Sequence, residues 1–296
     1  MSLNKPVWKL RDWIDINKLN WSQLSKNPNA IDLLIKYPKR INWKNLSLNP
    51  NAIELLEKNQ DKINWYNLSL NENAIELIKK NLDKINWNNL SQNSNALELL
   101  KQNPDKINWC FLSINSNAIE LLEKNQDKIN YEFFSWNLNG IKLLEKNQDK
   151  IKWCNLSENP NAIELLKKNP NKIGWYSLSS NKNAIELLET NIDKIDFIEL
   201  SLNTNSKAIK LLEKYWYYIN YRNLSLNSNA IELLEKNQNE IHWYNLSSNP
   251  SIFELDYKSM KNNNKKIEEE LLIKVMEPSR IFKNGGISYL NELFGN

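Results

Sequence analysis

A block of 22 residues recurs along most of this chain, and that period constrains the fold more than any other feature. Residues 41–62 read INWKNLSLNPNAIELLEKNQDK, and residues 63–84 read INWYNLSLNENAIELIKKNLDK. The aromatic residue of the third slot falls at Trp21, Trp43, Trp65, Trp87, Trp109, Tyr131, Trp153, Trp175, Phe197, Tyr221 and Trp243. Eleven copies therefore follow one another, with a single two-residue slip between Phe197 and Tyr221. Self-similarity at a period of roughly 20–50 residues means stacked supersecondary units. Each unit buries its apolar face only on its neighbours, so the expectation is a solenoid, not a globular catalytic fold.

One copy shows how the unit folds. With slots counted from Ile41, slots 12, 13, 15 and 16 (Ala52, Ile53, Leu55, Leu56) form an apolar stripe at helical spacing, and Glu54, Glu57 and Lys58 take the other side. That pattern predicts an amphipathic α-helix of about three turns. Asn49-Pro50-Asn51 supplies an N-terminal signal, because Asn caps well and Pro suits the first helical position. Asn51 and Glu54 have the spacing of a capping box. Asn59 is the expected left-handed C-cap. Slots 2–8 predict a shorter helical segment, α or 3₁₀, capped by Asn42. At about 100° per residue, Trp43 and Leu46 point inward while Lys44, Asn45 and Leu48 point outward. The Trp column is thus expected in the core, and the Asn49 and Asn51 columns are expected as buried turn amides. Helices this short are marginal alone, so stacking must hold them. The fold expected is an all-α solenoid of eleven two-helix repeats over residues 19–256, with an N-terminal cap at 1–18 and a helical cap or tail at 257–296. Stacked openly at ~10 Å per unit, it would form a rod or arc on the order of 100 Å long.

The run L-S-x-N-P-N-x-x-x-L-L, here Leu46, Ser47, Asn49, Pro50, Asn51, Leu55 and Leu56, resembles the leucine-rich repeat variant family. That resemblance implies a 3₁₀-helix paired with an α-helix in each unit, and a right-handed superhelix. The family's unit is slightly longer and lacks the tryptophan of slot 3. The fuller pattern W-x-x-L-S-x-N-P-N-A-I-x-L-L-x-x-N-x-D-K-I-N, together with DWIDINKLNW at 12–21 and LDYKSMKNNNKKIEEELLIKVMEPSRIF at 255–282, is similar to tandem-repeat proteins of mimivirus-like giant viruses. It implies a viral protein acting in a host cell, and it carries no established activity. Glu277 stands where those proteins have a histidine, so no role passes to it.

Few residues suit catalysis. The single histidine, His242, sits in slot 2, where most copies have Asn, and reads as an alternative cap. Cys110 and Cys154 occupy one slot two copies apart, beyond disulfide reach. The five glycines form no phosphate-cradling motif. A non-enzymatic chain with no cofactor, metal or small-molecule substrate is expected. No apolar run reaches membrane-spanning length, and the first twenty residues lack the apolar core of a signal peptide, so a cytoplasmic setting, host cytoplasm or virion, is expected. The Asn-Leu-Ser triplets match glycosylation sequons but follow from the repeat itself.

The variable slots carry the functional signal. Slot 4 runs Ser22, Lys44, Tyr66, Asn88, Cys110, Glu132, Cys154, Tyr176, Ile198, Arg222, Tyr244, and slot 8 includes Leu48, Leu70, Ile114, Trp136, Leu202 and Leu226. Four residues apart on a helix, they share a face. Either they drift at free surface positions or they form a recognition face, and exposed apolar columns favour an interface. Phe133 adds to this group in the copy that also holds Tyr131, Phe134 and Trp136. A second candidate is Tyr215, Trp216, Tyr217 and Tyr218, which replace a polar turn in the copy with the inserted Ser206-Lys207. There a break in the superhelix is expected, with aromatics that either fill the gap or contact a partner. The leading function is therefore protein–protein interaction along an extended face. The alternative is modular nucleic-acid binding, one slot-4 residue per unit, supported by the lysine column Lys62, Lys84, Lys106, Lys128, Lys150, Lys172 and Lys194. A net charge of only +4, and an aspartate beside most of those lysines, oppose a basic stripe.

Overall fold

A computed structural model of the protein describes residues 6–275. They belong to two compact units, one spanning Asp12–Ile252 and the other made of Met1–Arg11 with Phe253–Asn296.

The first unit is the repeat array, and each copy is one coil of four short pieces. In the second copy a short α-helix, Trp43–Leu46, is followed by a tight turn, an α-helix at Ile53–Glu57, and a 3₁₀ turn at Gln60–Lys62. In the first, third, fourth, fifth and tenth copies a 3₁₀ turn such as Glu72–Ala74 runs into the second helix. Outside the ninth copy the second α-helix is five or six residues long, shorter than the apolar stripe alone predicts, because its first turn is a tight or 3₁₀ turn. Its N-cap residue, Ala52, offers no side-chain bond, so the cap is set further upstream. There the Asn49 Oδ1 accepts from the backbone N–H of Asn51 at 3.0 Å. Asn59 is not left-handed, with φ −137° and ψ 49°. Its amide instead donates to the free helical carbonyl of Leu55 at 2.9 Å, closing the helix by side chain.

The core of each coil is small and dry. Leu46, Ala52 and Leu56 are fully buried, as are their equivalents around the array. A buried leucine contributes roughly 1.5–3 kcal/mol. The tryptophans are only half-buried, which corrects the expected core placement. Most are lidded instead of enclosed: the Lys62 ammonium lies 4.7 Å from the Trp43 ring centroid, Lys128 lies 4.5 Å from Trp109, and Lys194 lies 4.7 Å from Trp175. The lysine column is thus the outer cover of the aromatic column, held by cation–π attraction.

Hydrogen bonds between copies use the same atoms each time. Ser47 Oγ donates to the Trp43 carbonyl and accepts from the Asn64 N–H of the next copy. The buried Asn49 amide donates to the Ser25 carbonyl at 3.1 Å and the Asn27 carbonyl at 2.7 Å in the previous copy. Asn51 donates to the Pro28 carbonyl, and Asn45 to the Ser22 carbonyl.

The same bonds join the last copy to the first. Asn27 donates to the carbonyls of Ser247 at 3.2 Å and Asn249 at 2.8 Å. Asn29 donates to Pro250, the Asn20 N–H donates to Ser247 Oγ, and Lys18 lies over Trp243. The array is therefore a closed ring, not the open rod or arc that stacking alone suggests. Closure of eleven copies requires a mean rotation of about 33° per copy. The wedge that gives this rotation is visible in the packing. Short helices of adjacent copies, such as Trp153–Glu158 and Trp175–Ser180, lie in close contact, while the longer helices of adjacent copies do not pair closely. In a closed ring the tighter-packed element has the smaller radius, so the short helices are inner and the longer helices outer.

The insertion does not break the ring. Ser206 and Lys207 are absorbed into a longer helix, Ser206–Lys214, capped by Asn205. Asn227 still reaches the carbonyls of Ser201 and Asn203, so the asparagine ladder passes through.

In the second unit, a strand β1 at Trp8–Leu10 pairs antiparallel with β2 at Phe253–Leu255, with Trp8 opposite Leu255. Lys9 and Glu254 face each other across this pair at 2.9 Å. A helix covers Tyr257–Val275 and runs through the Asn- and Lys-rich stretch 262–266. The rest of the cap or tail expected at 257–296 lies outside the described residues.

Two measurements test this architecture. Spin labels placed at Lys44 and Arg222 in a cysteine-free background should lie within about 40 Å, against ~80 Å for an open stack at ~10 Å per copy. Double electron–electron resonance distances near the larger value would rule out closure. Asn71→Ala removes one cap and two inter-copy bonds from a buried site, and should lower stability by about 2–4 kcal/mol in chemical denaturation.

Candidate interaction surface

The short inner helix presents its slots in a fixed way. Slots 3 and 6 turn into the coil, slot 7 bridges to the next copy, and slots 4 and 8 are left on the open side. Lys44, Tyr66, Glu132, Tyr176, Arg222 and Tyr244 are all exposed slot-4 residues. Tyr66 and Tyr176 are 58% and 60% exposed, and Ile198 is 51% exposed. Slot 5 is mostly asparagine whose amide reaches back to the previous copy, as Asn67 donates to the Lys44 carbonyl at 2.8 Å.

Where slot 5 is aromatic, the face changes character. Phe111 and Phe133 meet edge to face at 5.8 Å between ring centroids, and Phe133 meets Trp136 at 6.1 Å. These half-buried rings form a ridge over adjacent copies. Trp136 Nε1 donates to Glu158 at 2.9 Å, which sets the indole beside a carboxylate. Further on, the Tyr176 hydroxyl donates to Glu199 at 2.8 Å. That bond, the charge of Glu199, and the nearby Asp196 and Glu158 carboxylates hold the Tyr176 hydroxyl above its usual ionisation range. Glu158, Glu199, Lys182 and Leu202 line a cleft of about 330 Å³ here. Across the ring closure, Gln23 replaces the slot-5 asparagine and donates to the Tyr244 hydroxyl.

The second group of candidates lies elsewhere, on slots 19–22 near the aromatic column. Tyr218 occupies the place of the lidding lysine and stacks on Phe197 at 4.9 Å, while Tyr215 packs on the same ring at 5.5 Å. Two of the four aromatics therefore cover Phe197. Trp216 and Tyr217 stack on each other at 3.7 Å and stay exposed, Tyr217 at 79%. A related exchange occurs in the next copy, where Glu240 takes the lysine slot beside Tyr221. Burial, then the Glu240 charge, push the Tyr221 hydroxyl up. The structure thus brings Lys44, Tyr66, Glu132, Phe133, Trp136, Tyr176, Arg222 and Tyr244 onto one inner face and sets Tyr215–Tyr218 apart from it. Glu158, a member of the variable slot-8 column, joins this face, and Glu199 and Gln23 belong to it but escaped the sequence reading. Their slot, 5, is readable from the repeat register, but their partners are a full copy away.

Among the described residues, no group of three or more His, Cys, Asp or Glu side chains is placed to hold a metal ion. His242 acts as a cap, its Nδ1 accepting from the Asn245 N–H at 3.4 Å. No helix among the described residues is long and apolar enough to cross a membrane. Comparison with protein-family profiles, curated proteins and solved structures finds no match to this chain.

The two halves of the aromatic tetrad should behave differently. Tyr218→Ala should cost about 1–2 kcal/mol, because it uncovers Phe197, while Tyr217→Ala should leave the denaturant midpoint unchanged. Equal effects would show that the tetrad acts as one packed unit.

Proposed function

We propose that the ring is a non-catalytic scaffold that holds a polypeptide partner on its inner face. The observation that carries this reading is the slot-4 column. Tyr66, Tyr176, Ile198 and Tyr244 are at least half exposed on helices whose slots 3, 6 and 7 barely vary. Tyrosine is favoured at interfaces because its large ring orders at little entropic cost. The resemblance to giant-virus repeat proteins makes a host or viral protein in the cytoplasm the expected class of partner.

The nucleic-acid reading finds less support. Five lysines of the column, Lys62, Lys84, Lys128, Lys150 and Lys194, are engaged on aromatic rings, and Lys106 pairs with Asp105. The inner face bears acids as well as bases, whereas phosphate binding needs a net basic track.

Photo-crosslinking from cell extract tests the proposal. A benzophenone side chain placed at Tyr66 or Tyr176 should capture nuclease-resistant protein adducts, and the same group at Tyr217 should not. Adducts confined to Tyr217, or adducts removed by nuclease, would refute the inner-face reading.

A further inference from the structure

Ring closure gives the charges of the inner face an arrangement that the linear sequence hides. Slots 4, 5 and 8 of the eleven copies contain six charged residues. Three are basic: Arg222 in the tenth copy, Lys26 in the first and Lys44 in the second. Three are acidic: Glu132 in the sixth copy, Glu158 in the seventh and Glu199 in the ninth. In sequence the basic residues lie at opposite ends of the array. In the ring they are neighbours, because Asn27 and Asn20 bond directly to the last copy. The acidic residues then occupy the arc from the sixth to the ninth copy and the basic ones the arc from the tenth to the second, so that Glu132 and Glu158 stand across the opening from Lys26 and Lys44, while Glu199 adjoins Arg222 where the two arcs meet.

Nearby charges off these slots are mixed in sign. Slot 10 carries Lys182 within the acidic arc and Glu72 next to the basic one. Slot 2 carries Lys152 and Asp196, which offset each other. At Tyr176 the hydrogen bond to Glu199, and then the charges of Glu199, Asp196 and Glu158, raise the ionisation range of the hydroxyl. The aromatic ridge of Phe111, Phe133 and Trp136 adjoins the acidic arc, and Trp136 is bonded to one of its members.

The size of the opening limits what can occupy it. Helices packed at roughly 8–10 Å place the axes of eleven inner helices on a circle of about 14–18 Å radius. Removing about 5–6 Å for each helix's half-diameter leaves an opening roughly 20 Å across, room for a single α-helix of about 10–12 Å.

Resting on the inner-face reading, we infer that the ring takes one helical polypeptide segment of dipolar cross-section, with basic and apolar side chains toward Glu132, Glu158 and the aromatic ridge, and acidic side chains toward Lys26 and Lys44. A charge-complementary surface of this kind selects orientation and rejects partners of uniform charge.

The probe is a synthetic helical peptide of about 20 residues with a lysine–leucine stripe opposite a glutamate stripe, titrated by fluorescence anisotropy against the full chain. Its control has the same composition with the charges shuffled. The striped peptide should bind at least about tenfold more tightly than the control. The Glu132→Lys, Glu158→Lys, Glu199→Lys triple variant should lose that preference. Glu158→Lys removes the acceptor of Trp136, so thermal melting accompanies it. Glu132→Lys alone, at an exposed site, provides the variant that keeps the fold, and it should lower affinity several-fold. Equal binding of both peptides, or binding unchanged in Glu132→Lys and in a folded triple variant, would overturn the inference. So would tighter binding of a single-stranded RNA probe. If the striped peptide fails while photo-crosslinks at Tyr66 and Tyr176 persist, the dipolar occupant is wrong and the inner-face reading stands. Loss of both removes the shared premise.

Discussion

The structure depends on the side-chain amide of one buried asparagine per copy. Asn49 and its equivalents cap the following turn with the oxygen and bond two carbonyls of the preceding copy with the nitrogen. A buried amide costs free energy unless its groups are satisfied. Here satisfaction requires the neighbouring copy to be present in register. The same residue therefore shapes its own loop and positions the next unit. Aspartate could accept the capping bond but would confront two carbonyls with a carboxylate. Serine could not reach both.

Much of the unit was legible in the sequence because its determinants are local. The apolar stripe at Ala52, Ile53, Leu55 and Leu56 fixed the second helix, and the phase of Trp43 and Leu46 placed slot 4 outside. The errors concern contacts that helical phase and cap preference alone do not show. Lys62 is nineteen positions from Trp43, so its role as a lid appears only when the coil is folded. Asn59 closes its helix through Leu55, where a left-handed cap was the local expectation. Closure itself is a sum of small wedge angles, and no residue type encodes an angle of that size. Gly140 illustrates a compensation that the eye passes over. It replaces the alanine of slot 12 where Phe134 replaces the leucine of slot 6, and a methyl there would stand 2.8 Å from the Phe134 ring.

Of the candidate site, the slot-4 positions were readable because helical phase alone exposes them. Their grouping was not, since Arg222 and Lys44 are separated by most of the array in sequence and lie only three copies apart across the junction. The insertion misled for a similar reason. Two extra residues suggest a rupture, yet a longer helix at Ser206–Lys214 takes them up and leaves the inner side untouched. Variation is thus tolerated on both rims, while the asparagine and serine ladders between them stay constant.

A linear solenoid melts from its ends, because a terminal repeat holds only one interface and its loss exposes the next. This array has no terminal repeat. Removing any one copy costs two interfaces at once, and the first and last copies are held as firmly as those between them. Fraying has no starting point, so the eleven weak units unfold as one cooperative body. Amide protons near both ends of the array are then protected to the same degree as those in its middle.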